Sequence, residues 1–201
     1  MKHCFTVLGM SLLLFALVAC GVVPKPAEQQ IYVLQAQAAP PQADSPGSRV
    51  LMIAQVRAEA GYDTRQIAYS DVPFTLNYYS RSEWADEPAR LITPLLATVI
   101  AQTSAYRAVL TQPTPVLADR RLDVELLRLQ QNFLTQPSQL QLSLRASLSD
   151  AGSNSLIASR LFEVSEPAPS EDAYGGVQAA NQALSKVLGE LAAWLLTQEG
   201  S

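Results

Sequence analysis

Leu140, Leu142, Leu144, Ala146 and Leu148 alternate with Gln141, Ser143, Arg145 and Ser147, so every second side chain of this stretch is apolar. A period of two predicts a strand with one buried and one wetted face. Leu122, Val124 and Leu126 alternate in the same way, and the phase then slips through Leu127 and Leu129, which predicts a β-bulge. Leu156 to Val164 supplies a further strand. It is joined to the 140–148 run by Asp150-Ala151-Gly152-Ser153-Asn154, a segment with hairpin-turn chemistry. Three consecutive antiparallel strands are expected here. Upstream, Ile31 to Leu34, Arg49 to Arg57, Arg65 to Tyr69 and Pro73 to Tyr79 are shorter strand candidates. In the last of these Phe74, Leu76 and Tyr78 share one side, and Thr75, Asn77 and Tyr79 share the other.

Two stretches carry a helical period instead. From Trp84 onward, Pro88, Leu91, Ile92, Leu95, Leu96, Val99 and Ile100 recur at three and four residues and form one apolar stripe. Pro88 suits a first helical turn. Pro94 removes a backbone donor, so it is expected to kink the helix or delay its start. A second helix is expected through Val177, Ala180, Leu184, Val187, Leu188, Leu191, Trp194 and Leu195. Ala36 to Ser48 and Glu166 to Ser170 are rich in Pro, Ala and Ser and read as an exposed loop and a break. The order strands, helix, strands, helix predicts an α+β fold, a mostly antiparallel sheet with two helices packed on one face.

The first residues follow another logic. A basic tip at Lys2 and His3 precedes an apolar run from Phe5 to Val18, and Leu17-Val18-Ala19-Cys20 closes it. This is secretory leader architecture, and at about 15 residues the run falls short of the ~20 that cross a bilayer. The cysteine directly after a small residue resembles a bacterial lipobox. That resemblance implies cleavage before Cys20 and acylation of its sulfur. Residues 1–19 are then a signal peptide, residues 20–30 a lipidated tether and residues 31–199 one α+β domain. Gly21 stands where an aspartate commonly signals inner-membrane retention, so the expected address is the periplasmic face of the outer membrane.

Cleavage changes which chemistry is available. It removes Cys4 and His3, the one histidine of the chain, and leaves no free thiol. Catalysis by Ser-His-Asp or Cys-His groups is excluded, as are His and Cys zinc sites and disulfides. No phosphate loop, EF-hand loop or GxSxG motif is present, so neither a cofactor nor catalysis is expected. With 14 basic against 18 acidic residues and no basic stripe, nucleic acid is not an expected partner. At 48% apolar and 16% charged, the chain is too hydrophobic to be disordered.

Tyr69, Tyr78, Tyr79 and Trp84 form the densest aromatic cluster. Trp84 and Trp194 are assigned to the core, where aromatics usually lie. Tyr78 and Tyr79 point to opposite faces of one strand, so Tyr69, Tyr78 and Tyr79 are the candidate contacts for a partner or an acyl chain. Glu83, Asp86 and Glu87 read as a solvated helix start, and Arg120-Arg121 as a surface turn before a strand. Asn181 lies mid-helix, where it is either exposed or bonded across to another element.

Several of these segments together resemble the ABC-type transport auxiliary lipoprotein family. Ile31-Tyr32-Val33-Leu34 is similar to its first strand, and Arg65 with Gln66-Ile67-Ala68-Tyr69 to its middle segment. Asn77-Tyr78-Tyr79 with Trp84-Ala85-Asp86-Glu87-Pro88 is similar to the element that opens the first helix. Ala118-Asp119 with Leu122-Asp123-Val124 resembles the start of the second half, and Ala179 to Leu184 with Trp194 the last helix. The resemblance implies a non-enzymatic accessory subunit of a lipid transport system, docking an MCE-domain protein. The ring symmetry of such partners makes a homo-oligomer plausible. Two other readings stand beside it: a carrier that holds an acyl chain between sheet and helices, and a carboxylate-dependent hydrolase.

Overall fold

The computed structural model describes residues 28–199, so the leader and most of the tether lie outside the described residues. In chain order the elements are β1 (Gln30–Tyr32), β2 (Val50–Ile53), β3 (Arg57–Ala58), β4 (Gln66–Ser70), β5 (Asn77–Trp84), α1 (Pro88–Gln102), β6 (Ala108–Thr111), β7 (Arg120–Asn132), β8 (Gln139–Asp150), β9 (Leu156–Pro167) and α2 (Ala173–Glu199). Strand β7 organises the sheet. On one side it pairs antiparallel with β8, which pairs antiparallel with β9. On its other side β2, β3 and β4 follow one another as short parallel strands, meeting β7 near Arg120, Glu125 and Gln130 in turn. Strand β6 adds to β2, while β5 and then β1 add to β4. The result is a mixed, mostly antiparallel sheet with helices, as the α+β reading expected.

The period-two residues do what their spacing predicts. Leu122, Val124 and Leu126 of β7 and Leu140 to Leu148 of β8 are buried beneath the helices. Arg121, Asp123, Glu125 and Arg145 occupy the opposite face and pair across it. The slip after Leu126 is real: the β7–β8 register shifts between Leu126 and Arg128. Ile92, Leu96, Val99 and Ile100 of α1 join Leu184, Leu188 and Leu191 of α2 in the same apolar cluster. Trp84 and Trp194 are both core residues, and Trp194 meets Phe162 edge-on at 5.9 Å. Pro88 begins α1, and the helix runs on through Pro94, which lies on the exposed side.

Three local expectations differ from the structure, and one strand, β6, was not expected. The single strand expected from Arg49 to Arg57 is two, because Val56 N–H donates to Thr93 Oγ1 of α1 rather than to the sheet. The strand expected from Pro73 begins at Asn77 and runs on to Trp84. Phe74 has a left-handed φ of 66°, which stops extension, and pairing with β1 carries β5 through the polar Ser80–Glu83 run. Strand β6 carried no clear periodicity. Finally, β9 continues to Pro167, which an edge strand tolerates because no neighbour needs the missing N–H.

The Pro-rich stretch after β1 is a strap rather than a free loop. Gln35 N–H donates to Asn181 Oδ1 and Gln37 N–H to Ser185 Oγ, which fastens it to α2. Ala43 N–H and Gly47 N–H reach the carbonyls of Thr103 and Ser104 at the end of α1. Gly47 approaches so closely that a Cβ would fall 1.8 Å from the Ala105 carbonyl oxygen. Leu34 is buried at the strap's start. Asn181 therefore bonds across to another element, and its Nδ2 also donates to the Val177 carbonyl.

Candidate functional site

The three singled-out tyrosines separate onto the two faces of the sheet. Tyr69 of β4 and Tyr79 of β5 lie together, ring centroids 4.8 Å apart, and Phe133 meets Tyr69 edge-on at 6.0 Å. Tyr78 lies on the opposite face, where its hydroxyl donates to the Gly61 carbonyl at 3.1 Å. Gly61 holds φ +94°, a conformation that L side chains rarely adopt. All three rings are half-buried, so sequence parity separated the faces correctly without showing that both sides are partly covered.

Tyr79 begins a polar chain that enters the core. Its hydroxyl donates to Gln131 Oε1 at 2.9 Å, and Gln131 Nε2 donates to Ser138 Oγ at 2.9 Å. Ser138 N–H in turn donates to Glu171 Oε1 at 2.9 Å, just ahead of α2. Gln131 and Ser138 are fully buried, so these bonds satisfy groups that would otherwise be costly to bury. Burial, then the carboxylate of Asp172, raises the Tyr79 hydroxyl above the usual tyrosine range. A cleft of about 520 Å³ opens beside it, lined by Glu28, Gln30, Tyr79, Arg81 and Tyr174 among others.

Alternating hydrophobicity gave no sign of Gln131. Its signal is a polar residue at a buried parity position of β7, which the phase slip obscured. At the N-terminus of α2, Asp172 accepts from Gly175 N–H at 2.8 Å and from Ser170 Oγ at 2.7 Å. Those bonds, the backbone one first, hold its carboxyl below the usual range.

Charged residues gather at the other end of the sheet. Arg49 pairs with Glu199 at 2.5 Å, and Arg120 pairs with Asp150 at 2.6 Å and with Glu199 at 3.6 Å. Tyr106 is buried beside them, and burial together with Glu199 raises its hydroxyl well above the usual range. Arg120 is thus a mostly buried strand residue that ties α2 to β7, rather than part of a surface turn. Arg121 pairs with Asp123 on the opposite face. Glu83, Asp86 and Glu87 do not converge: Glu83 pairs with Arg65, Glu87 with Arg90, and Asp86 Oδ1 accepts from Glu87 N–H. Among the described residues no group of three His, Cys, Asp or Glu side chains could hold a metal. No helix of the described residues is long and apolar enough to cross a membrane.

The molecule is thus a mixed sheet strapped to two helices, with aromatic side chains at one end and an ionic knot at the other. The model of the ABC-type transport auxiliary lipoprotein component matches residues 32–192, and the chain belongs to that family. A lipoprotein family of this kind implies a membrane-anchored, periplasmic component of a transport system. A crystal structure of a Xanthomonas campestris protein shares the fold, with TM-score 0.77 and 23% identity over 85% of this chain and 97% of that one. A second, uncharacterised protein aligns with TM-score 0.67 and 14% identity over 84% of this chain and 99% of that one. No curated protein matches.

Proposed function

We propose that the chain is a non-catalytic lipoprotein, acylated at Cys20, that stands on the periplasmic face of the outer membrane. There it docks an MCE-domain protein of an ABC-type lipid transport system and helps pass phospholipid-like cargo. Family membership over residues 32–192, directly behind a Leu-Val-Ala-Cys sequence, is the observation that carries this reading. The loss of histidine and free thiol on cleavage agrees with a recognition role. The open parts of the Tyr69, Tyr78 and Tyr79 rings are the proposed contact surface, and self-association would match a ring-shaped partner.

The carrier reading is less well supported. Leu51, Ile53, Ile92, Leu96, Leu144 and Leu188 fill the layer between sheet and helices at 0% exposure, where an acyl chain would have to lie. The test is co-purification of the acylated full chain with an MCE-domain protein of an ABC-type lipid transport system from the same organism, with palmitate labelling of wild type and Cys20→Ala. Stable co-elution and label on the wild type alone are expected. A folded partner that fails to bind overturns the docking role, and equal labelling of both proteins overturns the anchor.

A further inference from the structure

Phe74 is 108% exposed, as open as a side chain can be, yet its backbone is held in the left-handed region. Phenylalanine gains nothing from that conformation, which glycine or asparagine adopts more readily. The segment is nevertheless well ordered by its own bonds. The Val72 carbonyl accepts from Ser70 Oγ, Thr75 N–H and Thr75 Oγ1, and Asn77 Nδ2 donates to Asp71 Oδ1. A rigid loop therefore presents an exposed aromatic ring in a strained conformation, the pattern expected where a contact outside the chain is being served.

Other apolar side chains share that end of the sheet. Val72 is 54% exposed and Leu134 is 49% exposed. Phe133 N–H donates to the Ser70 carbonyl, which sets the loop after β7 beside the loop after β4. The β9–α2 connection reaches the same end, because Glu171 bonds to Ser138. Across these three loops the charged residues are Asp71, Glu171 and Asp172, all acidic. Attraction to anionic headgroups is therefore not the force available here, and burial of apolar side chains is.

The direction of the chain supplies the occupant. Strand β1 is parallel to β5 with Gln30 opposite Ser82, so Glu28 and Gln29 enter from the Asn77 side, the end that carries the Phe74 loop. Glu28 already lines a cleft with Tyr79, Ser80 and Arg81. The loop lies about 17 Å beyond the level of Ser82, five residues at ~3.4 Å each. The ten or so residues from Cys20 to Gln30 span at most about 36 Å. An acyl group on Cys20 can thus sit in a bilayer that the loop touches, with chain to spare.

We infer that the tip formed by Val72, Phe74 and Leu134 inserts into the interfacial layer of the bilayer that holds the lipid anchor. It does so by apolar burial into zwitterionic headgroups. Acyl chains already retain the protein, so the tip's work is orientation: it stands the sheet on end and turns the ionic Arg49–Arg120 end away from the membrane. This inference rests on the proposed acylation of Cys20.

The test uses the acylated full chain with Phe74→Trp, reconstituted into vesicles of phosphatidylethanolamine with a minority of phosphatidylglycerol. Trp84 and Trp194 are buried and serve as background in wild type. The indole at position 74 is expected to shift to the blue, to be quenched by lipid brominated near the headgroup, and to be insensitive to added salt. A Leu117→Trp control, whose site is 92% exposed at the opposite end, is expected to stay accessible to acrylamide. Co-floating protein whose position-74 indole keeps a water-exposed spectrum overturns the tip while leaving the anchor intact. Shielding from acrylamide without quenching by brominated lipid overturns it too, in favour of a protein cover. Failure to float with vesicles overturns the anchor, and the tip with it.

Discussion

Gly176 of α2 lies against the carboxamide of Gln131 on β7, so that a Cβ there would stand 2.3 Å from Gln131 Oε1. The same oxygen accepts the Tyr79 hydroxyl, and the chain of bonds continues to Ser138 and Glu171. One missing side chain therefore lets the first turn of α2 close over the aromatic end of the sheet.

Gly176→Ala is expected to destabilise the fold. The added methyl must displace either α2 or Gln131, and overpacking of this kind costs about 1–3 kcal/mol. Displacing Gln131 also leaves buried polar atoms unpaired. Urea denaturation of wild type and variant measures the loss. A Tyr79→Phe variant is expected to lose less, because the Gln131–Ser138 bond survives it.

Asp172 makes the N-terminal cap of α2, and its carboxyl is held low by Gly175 N–H and the Ser170 hydroxyl. A depressed folded-state pKa contributes stability at pH values above the unfolded value, near 4 for Asp. That contribution is lost as pH falls through the folded value. Asp172→Ala is expected to cost about 1 kcal/mol at neutral pH. Asp172→Asn keeps an acceptor at the cap and is expected to be nearly neutral there, with a smaller loss of stability on acidification. Thermal melts across the acidic range separate the two.

Asn181→Ala removes the acceptor for Gln35 N–H and is expected to loosen the strap across α2. The loss should be on the order of 1 kcal/mol, the net worth of one such bond. Hydrogen exchange should quicken at residues 35–38 of the strap before it does in the sheet. Equal exchange in both proteins would mean that Leu34 and Ser185 hold the strap unaided.

Phe74→Asn is expected to raise stability by up to about 1 kcal/mol, because asparagine tolerates the left-handed backbone that phenylalanine does not favour. The side chain removed is fully exposed, so no packing is given up. A melting temperature that rises or holds, beside a lost membrane contact, would mark position 74 as one where function outweighs stability. A clear fall would show that the ring packs against the fold in solution.

Much of this architecture is legible in the sequence, because it depends on near neighbours in the chain. The alternating leucines of β8, the slipped phase of β7, the three-and-four spacing of both helices and the hairpin at Asp150 each predict their own element. The Leu17-Val18-Ala19-Cys20 sequence and the single histidine ahead of it are likewise properties of the chain alone. Where local pattern failed, a distant partner had intervened. Thr93 takes the Val56 N–H and divides one expected strand, while β1 extends β5 through residues with no apolar period.

What only the tertiary structure decided is which residues meet across long separations. Three short parallel strands line up along β7, Asn181 catches a strap 146 positions away, and Gln131 finds the hydrogen that replaces a side chain at Gly176. Register and close approach are set by packing of the whole core, and no local periodicity encodes them. The same is true of Phe74: the sequence places it in an alternating run, and only the fold turns it outward.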